Sequence, residues 1–299
     1  MPELVRPHTL SFPWHGLNYI KTPKNACSTV IRTLGGDKVG ENVHARTDAI
    51  IYDPERDAGN PVLLIHRDPY TRLVSAYLEK ITRPSPREPF ACDVVRTVIK
   101  EERGEDWEPV EDGTTPTISF HAFVRYVVSR PDSELDQHWR SQISFVDLAT
   151  RDFEEDVVPL AFESLATDWN ASELTAATPL ETHAPHATTS TIKLDRRLHA
   201  IDGEKLFWFR QIAGTWPPKS CFRQPALVHH VQRRFAKDYE LVEFLKGRTG
   251  ERIPVSELRG TLGLDTPTPP NIFRLPVPAA QQEPRQQRQA AVNGDARTG

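Results

Sequence analysis

Apolar and polar positions alternate between two rhythms along the first third of the chain. Residues 17–21, LNYIK, form a short apolar run that reads as a strand. After it, Val30, Ile31 and Leu34 fall on one face of a helix, Ser28 stands where a cap is needed, and Gly35-Gly36 closes the segment. The same succession then repeats. Residues 62–66, VLLIH, are the unbroken apolar run expected of a parallel strand buried on both faces. RDPYTRLVSAYLEKI follows directly. Its Tyr70, Leu73, Val74, Tyr77, Leu78 and Ile81 recur at helical spacing, with Pro69 suited to the first turn.

Downstream the pattern predicts helices over 120–128, 166–176 and 204–212, and a long one over 225–246. Residues 143–148 and 157–162 read as strands, the second placed at an edge by Pro159. Residues 83–117, rich in proline and charge, read as a surface insertion holding one helix over 92–102. From 266 to 299 the chain is Pro, Gln, Ala and Arg with few apolar residues, which predicts a disordered tail after a domain spanning 1–265. Strand-loop-helix twice over implies an α/β fold, a P-loop-like parallel sheet flanked by helices and joined by right-handed crossovers. Ligands of such sheets sit at the C-terminal ends of the strands, where both the loop at 22–27 and the loop at 67–69 fall.

Composition narrows the function classes. The chain has 299 residues and a formal charge of −4, so no global basic field points to nucleic acid. Its apolar content is 38%, and 26 prolines account for part of that low figure. Cys27, Cys92 and Cys221 lie far apart, an odd set that fits reduced thiols in a cytoplasmic protein. The first residues, MPELVRPHTLSFPWHG, lack a basic-then-apolar leader pattern, and no apolar run reaches the roughly 18 residues a membrane span needs.

The chemistry concentrates in the two loops. YIKTPKNACSTVIR has the layout of a phosphate loop without the Gly-Lys-Ser/Thr ending of a nucleotide triphosphatase. Across Lys24, Asn25, Ala26, Cys27, Ser28 and Thr29 it offers backbone N–H groups at a helix N-terminus, one mobile cation and two hydroxyls. That set suits a phosphate or sulfate ester; an ordinary strand-helix turn with a solvated lysine would read the same way. Arg67, following an apolar strand, needs a partner. Either it converges with Ser75 on a second anion or it pairs with Asp68 or Glu79.

YIKTPKNACSTVIR resembles the 5′-phosphosulfate loop of the carbohydrate sulfotransferases of the HNK-1 and chondroitin/dermatan type, and is similar to that of the uronyl 2-O-sulfotransferases. IHRDPYTRLVSAY resembles their 3′-phosphate motif, with Arg67 and Ser75 at the matching positions. DQHWRSQ, FVDLATRDFEEDVVPLAFESLATDW and RRFAKDYELVEF are weaker echoes of the HNK-1 type group. The resemblance implies the donor 3′-phosphoadenosine 5′-phosphosulfate and transfer of its sulfuryl group to an acceptor hydroxyl, of a carbohydrate or of a small lipid or natural product. Lys24 would meet the charge of the leaving phosphate. For the base, His44 comes first, similar in placement to a histidine of the 2-O-sulfotransferases, then His138 and Glu79. The polar stretch 186–194, HATTSTIKL, is a candidate loop closing over the donor. No metal is expected, because the donor carries its own leaving group. The rivals are a nucleotide kinase-like enzyme of the same fold and a non-catalytic nucleotide- or glycan-binding module.

Overall fold

The computed structural model describes residues 8–38, 51–85, 88–104, 106, 117–151, 154–181, 188 and 190–265. His44, residues 107–116 of the expected insertion, and the tail over 266–299 lie outside the described residues.

The centre is a four-stranded sheet in the order β1 (Thr9–Phe12), β2 (Leu17–Ile20), β3 (Val62–His66), β4 (Val157–Ala161). Strands β2, β3 and β4 are parallel, with Tyr19 opposite Leu63 and Leu63 opposite Val158. β1 is antiparallel to β2. Gly16, at φ 60, closes the link between them in a conformation that an ordinary side chain resists. β1 has no counterpart in the sequence reading, since TLSF is short and lacks flanking signals of its own. Pro159 sits on the terminal strand, as its missing N–H requires.

The helices are α1 (Cys27–Gly35), α2 (Pro54–Asp57), α3 (Pro69–Ala76), α4 (Pro89–Arg103), α5 (Phe120–Val128), α6 (Gln142–Thr150), α7 (Leu165–Ala171), α8 (Gly203–Ala213), α9 (Pro225–Arg234), α10 (Ala236–Leu245) and α11 (Val255–Leu262). Both sheet faces are covered. Leu63 and Ile65 pack with Val30, Ile31 and Trp169 of α1 and α7 on one side. Val62 and Leu64 pack with Phe145, Val146, Leu241 and Leu245 of α6 and α10 on the other. Side chains alternate faces along a strand, so a strand covered twice reads as a continuous apolar run. A third cluster joins α3, α4, α5 and α9 around Tyr70, Tyr77, Phe120 and Phe123.

Four expectations change. Residues 143–148 are helical, within α6, because Asp238 accepts from the backbone N–H groups of Gln142 and Ile143 and so caps a helix there. The long C-terminal helix is broken at Phe235, whose φ −109 and ψ 32 separate α9 from α10. The expected insertion is not confined to the surface: α4 buries Ala91, Cys92, Val94, Val95, Val98 and Ile99 in the third cluster. Ser28 is not the cap of α1, which begins at Cys27 after Ala26. Among the described residues no helix is long and apolar enough to cross a membrane.

Candidate active site

The loops following β2, β3 and β4 meet on one rim of the sheet, at the C-terminal ends of the parallel strands. The first turns without glycine. Lys24 and Ala26 take φ values of 71 and 59, a conformation that costs an ordinary residue energy and persists only where the surroundings impose it. Those surroundings are visible. The Asn25 side chain is buried and donates to the carbonyl of Ile65, at 2.8 Å, and to the Gln142 side chain. Gln142 also accepts from the N–H of Arg67 at 3.1 Å and donates to its carbonyl at 2.8 Å. One side chain from the start of α6 thus ties the first loop to the second. The buried Arg72 adds a second tie, donating to the carbonyls of Pro23 at 3.0 Å and Arg140 at 2.7 Å.

Held this way, the loop starts α1 with no side chain capping it, so the backbone N–H groups of the first turn face the rim together with the half-buried Cys27, Ser28 and Thr29. Lys24 stands beside them and pairs with Glu79. Burial draws the Lys24 ammonium down to about 7, against the pull of Cys27, and Arg67, Lys80 and Lys219 push the same way. The contacting Glu79 carboxylate works to keep it charged.

Arg67 and Ser75 are in contact. The Arg67 guanidinium donates to Ser75 Oγ at 3.0 Å and to the carbonyl of Lys24. It does not pair with Glu79. Ser75 Oγ lies 2.6 Å from Thr188 Oγ1, which brings that residue of the polar 186–194 stretch to the site. The guanidinium packs 3.8 Å from the centre of the Phe162 ring, and Lys219 Nζ lies 5.9 Å from the same ring. Burial, then the Arg67 charge, draws Lys219 down to about 7, with Glu163 opposing. Arg67 Nε is buried and has no partner. A pair of desolvated cations, an orphaned donor and two hydroxyls form a cradle for an anion. Lys219, Phe162 and Gln142 escaped the sequence reading because nothing local marks them; Phe162 follows β4, Gln142 starts α6, and Lys219 begins a short helical turn over Lys219–Phe222.

The base candidates separate. His138 lies within electrostatic range of Lys24 and Lys80. Its Nδ1 is 2.6 Å from Asp136 Oδ1 and its ring stacks on Phe90 at 5.0 Å. Burial lowers its pKa and Asp136 opposes that shift. Glu79 is in the site as the partner of Lys24 and Lys80. His66 ends β3 buried, with neither ring nitrogen partnered, and burial lowers it to about 4, so it is neutral and structural. Trp139 and Trp216 are core residues, whereas Trp208 is exposed. Among the described residues no three His, Cys, Asp or Glu side chains gather as a metal site requires.

Residues 58–244, more than half of the chain, match the family model described as the Sulfotransferase family. The chain belongs to the sulfotransferase family. The matched region of this sulfotransferase contains Arg67, Ser75, Glu79, His138 and Lys219; the Lys24 loop precedes it and joins the site through geometry. No curated protein and no solved structure matches the chain.

Proposed function

We propose that the chain transfers a sulfuryl group from 3′-phosphoadenosine 5′-phosphosulfate to a carbohydrate hydroxyl, and that within the family it stands with the HNK-1 and chondroitin/dermatan type enzymes. The observation that carries this is the pair of adjoining anion positions on one rim. Lys24 and the start of α1 form one; Arg67, Ser75, Thr188 and Lys219 form the other; the Arg67 guanidinium touches both through the Lys24 carbonyl. A nucleotide with phosphates on both the 5′ and 3′ carbons of one ribose fits two adjoining positions. The orphaned Arg67 Nε is a buried donor that such an anion would satisfy, which supports this reading.

When bound, the donor supplies an activated sulfuryl group and its own phosphate leaving group. Lys24 and the N–H groups of α1 neutralise the charge that grows on the bridging oxygen. The Asp136 carboxylate accepts from His138 Nδ1–H, which fixes the tautomer whose Nε2 carries the lone pair. Neutral at pH 7, His138 is the described residue suited to take the acceptor hydroxyl proton. His44 was the first choice on sequence and stays in the test below.

The experiment is calorimetric titration of adenosine 3′,5′-bisphosphate and AMP. Charge-assisted hydrogen bonds contribute about 1.5–3 kcal/mol each. The native protein should prefer the bisphosphate by at least about 10²-fold, and Arg67→Ala should erase most of that preference while leaving AMP affinity little changed. Equal affinity of the native protein for both nucleotides, or tight magnesium-dependent ATP binding, overturns the proposal.

A further inference from the structure

One buried side chain is bonded to both loops that carry the proposed anion positions. Gln142 is 1% exposed and opens α6. Its Oε1 accepts from the Asn25 side chain and from the Arg67 N–H at 3.1 Å, and its Nε2 donates to the Arg67 carbonyl at 2.8 Å. Its own backbone is pinned as well. The buried carboxylate of Asp238, on α10, accepts from the N–H groups of Gln142 at 2.8 Å and Ile143 at 2.9 Å. The main chain of Gln142 is thus fixed to α10 while its side chain holds both loops.

The first loop needs such a hold. Asn25 stands between Lys24 and Ala26, whose φ values of 71 and 59 would relax if nothing imposed them. Other bonds keep each loop in shape: Asn25 donates to the Ile65 carbonyl, and Arg72 donates to the Pro23 carbonyl. The Arg67 guanidinium reaches the Lys24 carbonyl, but that contact lies at the far end of the side chain that a second phosphate would recruit. Gln142 holds the Arg67 backbone instead, through both its N–H and its carbonyl, and leaves the guanidinium free for an anion.

We infer that Gln142 is a positioning residue: without touching the donor, it sets the spacing at which the two anion positions engage two phosphates of one ribose at once. The inference rests on the two-position reading above and deepens it. A second phosphate adds to the first only where its position already lies within reach of the bound nucleotide. A ribose is short and stiff, so a small shift of one loop against the other forfeits the joint gain. Each position alone would still hold a single phosphate.

The test is calorimetric titration of AMP, adenosine 3′-monophosphate and adenosine 3′,5′-bisphosphate into the native protein, Gln142→Met and Asn25→Ala, with melting temperature reporting the fold. Methionine keeps the length of glutamine and makes none of its hydrogen bonds. In Gln142→Met the advantage of the bisphosphate over AMP should drop from at least about 10²-fold to about tenfold or less, with each monophosphate held within about threefold. Asn25→Ala cuts the same connection at its other end and should lower the same advantage. The double variant should lose no more than the worse single one. Arg67→Ala is the contrast, since it should lose adenosine 3′-monophosphate as well. An unchanged advantage in Gln142→Met overturns the inference; should that variant fail to fold, Asn25→Ala decides in the same way. Monophosphates that weaken in step with the bisphosphate also overturn it, because Gln142 would then only support the fold, and so does failure of both variants to fold. A native protein with no advantage for the bisphosphate over AMP overturns the donor reading, and the inference with it.

Discussion

The two proposed anion positions are built differently. Around Arg67 most of the groups are already tied: the buried guanidinium donates to Ser75 and to the Lys24 carbonyl over an aromatic ring, Ser75 contacts Thr188, and only Nε is left without a partner. Around Lys24 the arrangement is provisional. The cation is held by a carboxylate that belongs to a chain of ion pairs, and the mostly buried His138 is oriented by Asp136. A binding position gains from rigidity, because pre-ordered groups lose little freedom when the ligand arrives. A reacting position must let groups change partners as charge moves. One rim carries both because Gln142 and Arg72 hold the backbone of the two loops together while leaving the side chains at the reacting end outside that clamp.

The comparison breaks most readily at the reacting end. His138→Ala should lower kcat by about 10²–10⁴ with little loss of bisphosphate affinity. Steady-state turnover beside calorimetry checks this. If His44→Ala has that effect and His138→Ala does not, the base comes from outside the described residues and the Asp136–His138 pair is structural.

Lys24→Ala should cost about 10²–10³ in kcat in a protein that still folds, as judged by its circular dichroism and melting temperature. The bisphosphate should bind the variant more weakly, since Lys24 also meets the ground-state phosphate. A folded Lys24→Ala protein with normal turnover would leave the rim with a single working anion position.

The Arg67 end is sharpened by a smaller, graded effect. Lys219, drawn down to about 7 by burial and by Arg67, binds the second phosphate only as the ammonium. A bound anion raises that pKa. Between the free value and the raised one, binding takes up a proton, so affinity falls as pH rises through 7, by up to about tenfold per pH unit. The preference for the bisphosphate over AMP should therefore shrink between pH 7 and 9, and Lys219→Met should flatten the trend. Using that ratio cancels the contribution of Lys24, which both nucleotides share. A preference independent of pH in the native protein would place Lys219 outside the second position.

The sequence reading succeeded where signals were local and failed where they were not. The succession of VLLIH and RDPYTRLVSAYLEKI located β3, α3, Arg67 and Ser75 together, because an arginine forced to follow a buried strand has few places to go. The same reasoning misread residues 143–148. ISFVDL is a short apolar run of either kind, and the Asp238 carboxylate that makes it a helix comes from α10, some ninety residues on. It also took Glu79 and His138 as rivals for one role. In space Glu79 contacts Lys24 and His138 contacts Asp136.

What the sequence determined by itself is the parallel α/β core with its two rim loops, since burial on both faces and helical periodicity are written residue by residue. What only the tertiary structure decided is which charges meet. Lys219 joins Arg67 across Phe162, Thr188 reaches Ser75, and Lys80 links Glu79 to Glu88. Electrostatic interactions fall off with distance in space and with the dielectric between the groups. Neither quantity has any counterpart in spacing along the chain.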